Sequence, residues 1–130
     1  MDEQAYLEPL HRVMRMEPGF GHRQHVALAW TYLQANDQSS AEQLMCSAIR
    51  YVASVHGTPE KYHETLTITW TRLVAFHVRS HNMSTFDEFI ALNGDLLNRQ
   101  LPEHYFSNEA LQGAVARKGW IEPDLAPLPG

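Results

Sequence analysis

The sequence predicts an all-α fold: a compact single-domain bundle of about five to six helices with an extended, proline-rich C-terminal tail. Three observations lead there. Apolar residues recur every three to four positions through almost every segment, no segment alternates with the two-residue period of a strand, and capping residues punctuate the chain at helical intervals. The chain has 130 residues, 44% of them apolar and 19% charged, which suits one domain around one core rather than a disordered polymer. No internal repeat or low-complexity linker divides it. Residues 1–130 are read as a single helical domain, with 119–130 as an extended C-terminal strap.

The elements follow in order. Asp2 to Met16 has helical period and is closed by Pro18-Gly19. His22 to about Ala35 makes a second helix, with Val26, Ala29, Trp30 and Leu33 on one face and Asn36-Asp37 ending it. Ser39, with Glu42 three residues on, opens a third helix as a capping box, and Gly57 stops it after His56. Thr58-Pro59 offers an N-cap and a proline at the first helical position. From Pro59 to about His81 the period continues, which makes this the longest helix. Its apolar girth leaves only a narrow polar band at Lys61, Thr65, Arg72 and Arg79, so it is expected at the centre. Thr85 caps a short helix through Leu92, and Ser107 caps a last one ending near Lys118, before Gly119. The tail WIEPDLAPLP has too many prolines to be helical. It either straps its own bundle or reaches a neighbouring subunit, as in a homodimer.

Composition narrows the functions. A formal charge of −5, with scattered Arg and Lys, gives no electrostatic reason to bind nucleic acid or an anionic membrane surface. The N-terminus MDEQ is acidic and lacks an apolar stretch, and no segment reaches membrane-spanning length. Cys46 is the only cysteine and falls in an apolar helical stretch, where a buried, inert thiol in a reducing compartment is expected. A cytoplasmic location follows as the default.

The chemistry-bearing residues concentrate in two stretches. In GFGHRQHVALAWTYL, His22 and His25 share the inward stripe with Val26, Ala29 and Leu33, and their spacing lets two imidazoles converge on one atom. Phe20 would set the entry angle of the chain. In TPEKYHETLTITW, His63 points inward and Glu64 lies near the edge of the buried arc. The plainer alternatives are a core histidine held by hydrogen bonds and a glutamate favouring the helix dipole. Buried imidazoles must be hydrogen-bonded, paired or metal-bound, and a carboxylate beside a desolvated imidazole can act as acid and base near neutral pH. His22, His25, His63, Glu64 and Tyr62 are the candidate catalytic residues. Phe20, Trp30, Thr67, Trp70, Tyr105 and Arg117 are the candidate substrate contacts. The same three imidazoles could hold a single Zn, Fe or Cu ion; otherwise no cofactor is needed. Glu60 and His63 have the Glu-x-x-His spacing of di-iron bundles, but a second copy is missing. His77 and His81 suit a helix C-terminus electrostatically, and His11, His56 and His104 have no evident partners.

FGHRQHVALAWTYL, KYHETLTITW and ALQGAVARKGWIEPDLAPLP, in that order, resemble a family of small bacterial all-helical proteins of uncharacterised activity. The resemblance covers about a third of the chain and implies that the pair at 22 and 25, the block Tyr62-His63-Glu64-Thr65 and the tail Pro123-Asp124-Leu125 belong together. It also suggests a specialised biosynthetic pathway, while carrying over no reaction. Gly113, within the last expected helix, costs about 1 kcal/mol against alanine, which a close helix contact or room for a ligand would justify. The expected function is a small helical enzyme acting on an organic small molecule, by acid–base or mononuclear metal-assisted chemistry. The alternative is a non-catalytic module that binds a small ligand or another protein.

Overall fold

A computed structural model describes residues 5–16 and 20–130. Among these residues the fold is all-α, with no strand. The helices are α1 (Leu7–Met16), α2 (His22–Ala35), α3 (Gln38–Val55), α4 (Glu64–His81), α5 (Phe86–Leu92), α6 (Asn108–Gln112) and α7 (Ala114–Lys118). Short 3-10 turns occupy Pro59–Lys61, Gly94–Leu97 and Leu101–His104. The expected helix start at Asp2 and the Pro18-Gly19 stop lie outside the described residues. No helix among those described is long and apolar enough to cross a membrane.

As its girth predicts, α4 is central: it packs against α2, α3 and α7, while α1 packs on α2. Leu10 and Val13 of α1, Val26 and Leu28 of α2, Met45 of α3 and Leu73 of α4 are buried in one core. Each such side chain contributes on the order of 1.5–3 kcal/mol by leaving water. α4 also buries four threonines, which need partners in a dry interior. Thr67 donates to the His63 carbonyl at 2.8 Å, Thr71 to the Thr67 carbonyl at 2.9 Å and Thr65 to the Gly119 carbonyl at 2.8 Å. Thr69 Oγ1 alone has none.

Three boundaries differ from the sequence expectation. The cap of α3 is Asp37 rather than Ser39: its carboxylate accepts the Ser40 N–H at 2.7 Å, which starts the helix earlier and leaves Ser39 inside the first turn. The long helix expected from Pro59 is interrupted, because Tyr62 and His63 are extended and separate the 3-10 turn from α4. Thr58 makes no side-chain cap; its hydroxyl donates to the Ala53 carbonyl at 3.4 Å instead. Gly113 breaks the last helix into α6 and α7, with φ −70° and ψ 149°. A Cβ there would meet only the Ala110 carbonyl, at an ordinary 3.5 Å. Neither tight helix packing nor ligand space explains this glycine; it stands at a corner.

The tail straps its own bundle. Asp124 accepts from the Ser107 backbone N–H at 2.8 Å and the Ser107 hydroxyl at 2.6 Å. The Leu125 N–H reaches the Tyr105 carbonyl at 2.9 Å, and the Trp120 ring covers the Arg72 guanidinium at 4.4 Å. Ile121 N–H donates to Thr65 Oγ1 at 3.3 Å, which joins the strap to the central helix.

Candidate functional site: a cavity lined by imidazoles

Two helix starts meet one stretch of α3. At the first, Gly21 is extended and its N–H is held by Gln24 Oε1 at 2.9 Å, so the chain enters α2 at His22 with a fixed direction. At the second, His63 opens α4. Between these starts and α3 lies a cavity of about 460 Å³, and His22, His25, His56 and His63 all line it. Trp70, Leu66, Ile49 and Val52 form its apolar walls, with Thr67 beside them. Lys61 and Arg99 also line it, and both are exposed. The three imidazoles expected to converge therefore do line one space.

Their ring nitrogens are in different states. His63 Nδ1 accepts the Leu66 N–H at 3.1 Å, which leaves Nε2 as the protonated nitrogen; it donates to the Leu111 carbonyl at 2.7 Å. Both nitrogens are thus spent on holding α4 to α6. His22 Nε2–H donates to the Leu96 carbonyl at 2.9 Å, so Nδ1 carries the lone pair and has no partner among the described residues. The His22 ring also meets Trp70 edge-on, centroids 4.4 Å apart. His25 Nε2 is sealed from solvent without a hydrogen-bond partner, while its ring lies 6.4 Å from that of Phe20.

Burial sets the charge. It pushes His25 down to about 4, and the neighbouring His22 adds to the effect. His22 and His63 are lowered as well, mainly by burial. In His22 the Leu96 carbonyl opposes this and the Arg99 charge adds to it; in His63 the Leu111 carbonyl opposes and Arg117 adds. All three imidazoles are held toward the neutral form.

Several expected roles are corrected. Glu64 does not line the imidazole cavity: it faces a separate cleft on the α3 side, where Arg50 pairs with it at 2.9 Å and the Tyr62 hydroxyl donates to it. The expected His–Glu pair is not formed, and Glu64 stands in the first turn of α4, where it complements the helix dipole. Tyr62 lends its ring to the cavity wall, but its hydroxyl is committed to Glu64; burial first, then Cys46 and Glu64, raise its pKa. Trp30 lies away from the cavity, donating to Asn82 Oδ1 at 2.9 Å and packing on Phe86 and Phe89. Tyr105 serves the tail through its carbonyl. Arg117 Nη1 contacts the carbonyls of Glu60, Lys61 and Tyr62 at 3.1–3.5 Å, so it holds the end of a 3-10 turn. Phe20 backs His25 without lining the cavity. Thr67 and Trp70 do line it.

The three-imidazole metal set does not fit. A ligand must offer a lone pair, and His63 has none left once Nδ1 caps α4. Among the described residues, no group of three His, Cys, Asp or Glu side chains is arranged to hold a metal ion. His56, Lys61 and Arg99 were not expected at the site. Each stands at a helix end or in a turn, where helical spacing carries no information about direction. No family model, curated protein or solved structure matches the chain.

Proposed function

We propose that this protein binds an organic small molecule in the cavity between the starts of α2 and α4, and that it acts as an enzyme by moving a proton through His22 and His25. The observation that carries this reading is the cavity of about 460 Å³ itself, lined by His22, whose Nδ1 has no partner among the described residues. The volume lies within the range of small-molecule sites, and the apolar walls suit an organic body.

His22 is the better proton acceptor of the two. Its Nδ1 lone pair is available, and its Nε2–H is already aimed at the Leu96 carbonyl, which fixes the tautomer and would stabilise the imidazolium once formed. The His25 ring lines the wall beside it. A cytoplasmic setting belongs to this reading, supported by Cys46, which is buried and whose thiol is pushed up to about 11 chiefly by that burial. A non-catalytic binding module is the second reading. It is favoured by the same lowered His25, since a group near 4 is a weak base at neutral pH.

Ligand-observed NMR with a panel of small organic acids, amines and alcohols tests the site, using wild type, His22→Ala and His25→Ala. Ligands of the wild type should weaken about tenfold in each variant. Retention of full affinity in both would place binding elsewhere and overturn the reading. Turnover of a bound compound by wild type, lost in His22→Ala, separates the enzyme from the binding module.

A further inference from the structure

We propose that the ligand of this cavity carries an oxyanion head group, a carboxylate or a phosphate, which Lys61 and Arg99 bind at the rim while its organic body lies against Trp70. The inference rests on the reading of the cavity as the binding site and adds the class of ligand.

Charge is distributed against the trend of the chain. Acidic residues outnumber basic ones, 15 to 10, yet no Asp or Glu lines the cavity. Glu60, adjacent to Lys61, faces the neighbouring cleft instead, and Glu64 is occupied by Arg50 and Tyr62. Arg12, Arg23, Arg50 and Arg72 each meet a carboxylate at 2.9–3.0 Å. Lys61 and Arg99 have no such partner among the described residues. They come from unrelated parts of the chain, the end of one 3-10 turn and the link between two others, and line the same opening.

The backbone beneath Lys61 is anchored. Arg117 binds the Lys61 carbonyl at 3.1 Å, which fixes the root of the lysine while leaving its ammonium free. Arg99 supplies a planar fork that suits either oxyanion, and Lys61 supplies a point charge. Within the wall, Trp70 is only 6% exposed, and its indole N–H has no partner among the described residues. A donor of this kind next to His22 can take an anionic oxygen.

An anion here would also change the imidazoles. Burial holds His22 and His25 neutral, with Arg99 and His22 respectively adding to the effect. Negative charge at the rim offsets the Arg99 charge and raises the proton affinity of both rings. Ligand binding would thereby prepare the proton acceptors, so that the pair becomes effective with the ligand in place.

The test is a titration of the full chain with phenyl phosphate, benzoate and benzyl alcohol, followed by the side-chain NMR resonances of His22, His25 and Trp70. At least one anion should move these resonances and bind about tenfold more tightly than the alcohol. Lys61→Met and Arg99→Met should each weaken that anion several-fold and leave benzyl alcohol unchanged. The tighter of the two anions identifies the head group. Equal binding of the alcohol and the anions at the imidazoles overturns the oxyanion inference and leaves the cavity reading standing. So does anion binding that survives loss of both cations. Failure of all three compounds to move His22, His25 or Trp70 at millimolar concentration overturns both.

Discussion

The starts of α2 and α4 use the same residue type for opposite purposes. At α4, His63 closes its own helix with Nδ1 and ties it to α6 with Nε2, so no polar capacity remains. At α2, the entry is handled by Gly21 and Gln24, which frees His22 Nδ1 and leaves the His25 nitrogen unsatisfied in the interior. Four imidazoles line the cavity, and of the three at these helix starts only His22 and His25 keep an unspent ring nitrogen. The difference shows that burial and shared location do not make a histidine functional; an unspent lone pair is also required.

The largest expected effect concerns the spent ring. His63→Ala removes a cap and strands the Leu111 carbonyl, at a combined cost of about 3 kcal/mol. Replacing His25 by leucine removes no hydrogen bond and should cost less than about 1 kcal/mol. Urea unfolding midpoints measure both, and equal losses would erase the distinction between the two helix starts.

Acid should sharpen the comparison. His25 is lowered to about 4 in the folded chain, against an ordinary 6.5. Between those values the unfolded chain takes up a proton that the folded one refuses. Stability is therefore retained above pH 6.5, falls as the pH drops toward 4 and levels off below it. His25 accounts for on the order of 2–3 kcal/mol of this loss, and His22 and His63 act in the same direction. The slope of stability against pH in this window should shrink in His25→Leu; an unchanged slope would mean that His25 is not buried as described.

A smaller effect tests the meaning of an unpartnered atom. Thr69 Oγ1 is also buried without a partner, and Thr69→Val keeps the shape while removing the orphan hydroxyl. It should stabilise the protein by about 1 kcal/mol. The same change at Thr65 should destabilise it, because the Gly119 carbonyl and Ile121 N–H would lose their contact. Thermal unfolding of the two variants gives the sign directly.

Much of the bundle is legible in the sequence. The period of α2, the Thr85 and Ser107 caps, the Gly57 stop at φ +72° and the central place of α4 follow from spacing and capping chemistry. The break at Tyr62-His63 does not, because the residues from 59 to 81 keep a helical pattern across it. What interrupts them is a histidine acting as an N-cap, a role that serine, threonine, aspartate or asparagine ordinarily fills. Of the site, the inward direction of His22, His25, Thr67 and Trp70 is readable from helical spacing. The opposite orientation of Glu64 depends on the extended pair before it, and the arrival of Lys61 and Arg99 depends on turns whose directions are set only by packing.

The most direct measurement is the protonation state of each imidazole by nitrogen-15 NMR across a pH titration. His63 should be fixed as the Nε2–H tautomer with both nitrogens hydrogen-bonded, His22 should be Nε2–H with an unbonded Nδ1, and His25 should stay neutral down to about pH 4. A His25 that titrates at its ordinary value, or a His63 with a free lone pair, would contradict it.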